Sequence, residues 1–95
     1  MSAGCCGAET QAVGYVVQHE WSGAFGRFSP EYEHGFEWQE DGVENATVVE
    51  TLADLLWRWQ RFIIEYHRSG IAITICRVVD VTRIVTETQR EYEAL

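Results

Sequence analysis

Between Thr47 and Arg68 apolar residues recur at helical spacing, and this amphipathic stretch limits the chain to folds that can cover a long helix. At about 100° per residue, Val48, Leu52, Leu55, Trp59, Phe62, Ile63 and Tyr66 share one broad stripe, the face of a helix that meets a core. Glu50, Asp54, Arg58, Arg61, Glu65 and Arg68 share the opposite side. Ala53, Trp57 and Ile64 also fall on that charged side. An indole and a branched aliphatic chain among charges predict a surface that meets a partner. The competing expectation is that the chain's own loops fold over them, since single exposed apolar residues are ordinary.

Strand signals flank the helix. From Ala12 to Trp21 the residues alternate, with Val13, Tyr15, Val17, His19 and Trp21 on one face. Residues 22–26 carry turn chemistry, and Pro30 makes residues 27–33 a loop or an edge. Phe36–Glu40 is a short second strand, with Phe36 and Trp38 inward, and Asp41-Gly42 is a turn. Thr47-x-x-Glu50 and Thr51-x-x-Asp54 are two candidate caps for the helix, and Gly70 is its stop. Ile71–Thr86 is a third strand, long enough to bend near Val79-Asp80 or to overhang and pair with another chain. The expected fold is α+β, one long helix on a small antiparallel three-stranded sheet (ββαβ, sheet order 2-1-3). Residues 1–9 are a flexible N-terminus, 10–87 the single domain, and 88–95 a polar tail, a short helix or frayed.

Charge and cysteine usage narrow the function classes. The net charge is −8, and residues 1–56 hold ten acids against Arg27 alone. The chain has no lysine. An acidic balance argues against direct nucleic-acid binding through phosphates. No apolar run reaches the length of a membrane span, and the first residues lack the pattern of a signal peptide or a myristoylation site. Cys5 and Cys6 are adjacent and poorly placed to bond each other, while Cys76 lies in an apolar strand. A cytoplasmic, reducing setting is expected. With a histidine the three cysteines could form a zinc site in space, but no ligand pair has zinc spacing.

Other constellations yield little chemistry. His19-Glu20 starts an H-E-x-x-H pattern that Gly23 ends. His34 sits among acids, and His67 lies near the helix end. No G-x-S-x-G and no phosphate-cradling loop occurs. The segment Glu31–Glu44 holds Glu31, Glu33, Glu37, Glu40, Asp41 and Glu44 with aromatic residues interleaved and no cation. It reads as a solvated loop whose aromatics serve the core; the alternative is a mimic of nucleic-acid phosphates that occupies a basic groove.

The strand Val13–Trp21, the helix opening Thr51-Leu52-Ala53-Asp54, the stop Arg68-Ser69-Gly70 and the strand Ile71–Val79 together resemble short ββαβ orphan proteins of actinobacterial phages and their hosts. The resemblance implies a small protein that modulates or inhibits a host protein by binding it. From the apolar surplus on the helix, the expected function is a non-enzymatic protein-interaction module without cofactor or metal. Trp57, Arg61 and Ile64 are its partner-binding residues, and a homodimer is the simplest assembly. The alternatives are an acidic inhibitor of a nucleic-acid-binding protein, and an enzyme of unrecognised type.

Overall fold

The structure, a computed structural model, describes residues 9–32, 35–66 and 70–95, apart from the side chains of Glu65 and Tyr66. It contains five strands and one helix: β1 (Glu9–His19), β2 (Phe25–Phe28), β3 (Phe36–Gln39), α1 (Leu52–Tyr66), β4 (Ile73–Ile84) and β5 (Glu87–Ala94). The strands form one antiparallel sheet in the order β3-β2-β1-β4-β5. This overturns the three-stranded ββαβ expectation. Over the described residues the protein is a curled, half-barrel sheet with one short helix. Residues 27–28, expected in a loop or an edge, belong to β2, which is an inner strand between β1 and β3. Residues 88–95 do not form a helix or a frayed tail, because β5 pairs with β4 along most of its length.

β1 is buried on both faces at its Val16-Val17 centre. Val16 and Val17 are adjacent in sequence, so they point to opposite sides of the sheet, and both are fully enclosed. On one side Val16 packs with Phe25, Cys76, Val78 and Val43. On the other Val17 packs with Phe36 and Trp59, and with the half-buried Phe62, Ile73 and Ile75. Val13, expected beside Val17, instead packs with the Val16 cluster. A bulge between Ala12 and Gly14 shifts the alternation there.

The connection from β3 to α1 covers both sides. A single 3-10 turn, Val43–Asn45, lays Val43 over the Val16 face, and Ala46 and Val48 follow it. The chain then wedges between β1 and β2, which are joined at one residue pair, Gln18 with Phe25. Val49 exchanges both backbone hydrogen bonds with Tyr15, at 2.8 and 2.9 Å. The Thr47 N–H donates to the Gly26 carbonyl at 3.1 Å, and the Phe28 N–H donates to the Thr47 hydroxyl at 2.8 Å. Beyond this wedge α1 lies on the Val17 face.

Two glycines make these approaches possible. A Cβ on Gly14 would sit 2.4 Å from the Val49 carbonyl oxygen. A Cβ on Gly26 would sit 2.4 Å from Val17 and 2.7 Å from the Phe36 ring.

The wedge also moves the helix start. Thr47 and Val48 are not helical; the Thr47 hydroxyl is committed to β2. Thr51 is the cap, its hydroxyl accepting the Asp54 N–H at 3.2 Å. The helix is described over Leu52–Tyr66, 15 residues. Residues 67–69, which include most of the proposed stop, lie outside the described residues.

β4 runs twelve residues, turns at Val85-Thr86 and is met by β5. The expected overhang is thus paired within the chain, by β5 on one side and by Glu9–Ala12 of β1 on the other. This three-stranded arm stretches the molecule to 53 × 24 × 22 Å. Its radius of gyration is 15.4 Å, against about 12 Å for a compact chain of this length. Cross-strand charge ties the arm together. Asp80 and Arg90 are direct partners in a two-pronged ion pair at 2.8 and 3.3 Å; Arg83 reaches Glu91 at 3.2 Å, and Arg77 bonds Glu93.

Candidate functional site

The helix divides its residues sharply. Leu55 and Trp59 are buried and Phe62 and Ile63 half-buried against the sheet, as the core stripe predicts. Trp59 belongs to an aromatic cluster with Phe36, Trp38 and Phe62, ring centres 4.7–5.9 Å apart. These rings anchor the helix by apolar area and by edge-to-face contact. With the inner face fixed, the opposite face is turned outward. Ala53, Asp54, Trp57, Arg58, Gln60, Arg61 and Ile64 are all exposed.

Trp57 is 59% and Ile64 74% exposed. The Arg61 guanidinium lies 5.4 Å from the Trp57 ring centre, in cation–π range. The structure therefore brings Trp57, Arg61 and Ile64 onto one surface, with Gln60 beside them. Of the two candidate covers, the described part of residues 27–33 leaves them exposed, and most of the N-terminal tail lies outside the described residues. A second apolar feature flanks the helix. Leu52 and Leu56 face Ile73, Ile75 and Leu95 across an open groove of about 450 Å³.

The acidic segment runs over several elements. Glu31, Glu37, Glu40, Asp41 and Glu44 are exposed, but they occupy a loop, a strand and the 3-10 turn in succession. Phe36 and Trp38 from the same segment belong to the core. Glu33 and His34 lie outside the described residues, as do Cys5, Cys6, His67 and Arg68.

His19, Cys76 and Asp80 are engaged within the fold. The Nδ1 of His19 accepts the N–H groups of Trp21 and Ser22 at 3.3 and 3.2 Å, which pins the β1–β2 turn, and its ring stands edge-on to Trp38 at 5.0 Å. Trp21, expected within the first strand on the same face as Val17, lies in that turn and is 87% exposed. Cys76 is buried beside the Gln18 side chain, and burial pushes its thiol pKa up, away from the reactive thiolate. The Arg90 hydrogen bond and charge hold the Asp80 carboxyl below its ordinary pKa. Among the described residues no group of three His, Cys, Asp or Glu side chains could hold a metal ion, and no helix is long and apolar enough to cross a membrane.

Sequence reasoning missed the arm. Its apolar tip, Ile84 and Val85, stands clear of the core, with Val85 98% exposed. The signal was present as charges of opposite sign on either side of Val85-Thr86, but apolar periodicity does not detect it. No protein-family model, curated protein or solved structure matches this chain.

Proposed function

We propose that this protein is a non-enzymatic protein-interaction module that docks through the outward face of α1. The supporting observation is the exposed set Trp57, Arg61 and Ile64 on a helix whose other face is fixed to the sheet. Tryptophan and arginine are the residues most enriched where binding energy concentrates, and a rigid helix presents them with little loss of entropy on docking. The partner is a protein, and the setting a reducing cytoplasm. The phage-type role of modulating a host protein is the cellular context that the sequence resemblance favours.

Site-specific photo-crosslinking tests this reading. A photoreactive residue in place of Ile64 is expected to yield one defined adduct, which a second substitution, Trp57→Ala, abolishes. The same probe in place of Val85, even more accessible but at the tip of the arm, is expected to yield none. Absence of an adduct at position 64, or equal labelling at both positions, overturns the proposal.

A further inference from the structure

We propose that the occupant of this helix face is a second copy of the chain, docked with its α1 antiparallel about a two-fold axis beside Trp57. The inference rests on the reading of α1 as a docking surface. Asp54, Trp57, Arg61 and Ile64 are all exposed, and their spacing of three and four residues aligns them in one outward stripe. The stripe is ordered by charge: an acid in the first turn, an arginine two turns on, and the indole between them.

Against an identical helix that order discriminates between orientations. A parallel partner sets Asp54 against Asp54 and Arg61 against Arg61. An antiparallel partner, with the axis between residues 57 and 58, sets Asp54 of each copy opposite Arg61 of the other. The two indoles then flank the axis between a pair of reciprocal ion pairs. The opposed helix dipoles favour the same orientation. One self-complementary contact made twice closes the assembly as a dimer.

The other long free edge is ill-suited to the same task. β5 is an outer strand, and antiparallel pairing with its own copy must centre on one residue for the faces to match. Centring on Glu91 opposes Glu91 to itself; centring on Arg90 opposes two arginines and sets Glu87 against Glu93; centring on Gln89 sets Glu87 against Glu91. Like charges directly opposite destabilise such ladders.

Sedimentation velocity over a concentration series tests the assignment. The wild-type chain, 10.9 kDa, is expected to pass from monomer to dimer in the micromolar range, because one pair of helices lies at the small end of specific interfaces. Asp54→Arg and Arg61→Asp are each expected to weaken the dimer by about tenfold or more, since each sets like charges together. Their equimolar mixture restores a dimer, because the two variants complement each other across the axis. Trp57→Ala provides a substitution without charge change and is expected to dissociate the dimer as well. Circular dichroism checks that each variant keeps its helix.

A wild-type chain that stays monomeric overturns the proposal, as does a mixture no tighter than its components. The crosslinking probe at position 64 separates the two levels. An adduct of twice the chain mass supports self-pairing. An adduct with a different protein leaves the docking face standing and removes the second copy from it.

Discussion

Phe25 of β2 and Tyr92 of β5 meet edge to face, ring centres 4.8 Å apart, although β1 and β4 lie between their strands. In a flat sheet three strand spacings would separate the two backbones by about 14 Å. The contact exists because the sheet curls toward the Val16 face, and it closes that side of the half-barrel. Phe25 is buried and Tyr92 half open. Phe25→Ala is therefore expected to cost about 3–5 kcal/mol, and Tyr92→Ala about 1–2 kcal/mol, in urea denaturation. Equal effects from the two would mean that Tyr92 is as deeply involved as Phe25, contrary to this packing.

Gly14 faces the Val49 carbonyl at a distance that leaves no room for a methyl group. Gly14→Ala must push residues 47–49 out of the wedge or distort β1. The expected loss is about 2 kcal/mol or more, larger than the usual penalty for a strand substitution. Proteolysis should then begin between β3 and α1, where the chain would lose its hydrogen bonds to Tyr15 and Gly26. A variant as stable as wild type would show that Val49 does not approach β1 this closely.

Asp80 and Arg90 give the arm a pH dependence of known sign. The carboxyl pKa lies below its unfolded value, chiefly through the Arg90 hydrogen bond. Its contribution is therefore fully present above the unfolded carboxylate pKa, and is lost as pH falls through the lowered folded value. At neutral pH Asp80→Asn is expected to cost up to about 1 kcal/mol, the range of a partly exposed ion pair. In strong acid the variant and the wild type should converge. Denaturation curves at the two pH values check this; a difference that grows in acid contradicts it.

The helix was legible because a single core stripe leaves a 3.6-residue signature, and Leu55, Trp59, Phe62 and Ile63 all meet the sheet. Its start was ambiguous because Thr47 and Thr51 offer the same hydroxyl; only the fold shows that Thr47 is held by Phe28. β2 escaped notice because Phe25-Gly26-Arg27-Phe28 is four residues long, and its glycine exists for contact with Val17 and Phe36, residues distant in sequence. β5 escaped for a different reason. Its sequence, Glu87–Ala94, is mostly polar, with Tyr92 its one large ring, and it is held mainly by ladder bonds and by pairs such as Asp80 with Arg90. Those charges also guard its outer edge against unwanted pairing. The outward position of Trp57 and Ile64 was legible as a surplus, since apolar residues off the core stripe face outward once that stripe is occupied, and that of Arg61 was legible from the charged side of the helix.

The most direct test of the docking face is a dilution series followed by nuclear magnetic resonance. With rising protein concentration, the indole N–H of Trp57 and the backbone amides of Asp54, Trp57, Arg61 and Ile64 are expected to shift together along one binding curve, while those of β5 and of Ile84-Val85 stay still. Shifts confined to β5 or the arm tip, with the α1 signals unmoved, would contradict the account.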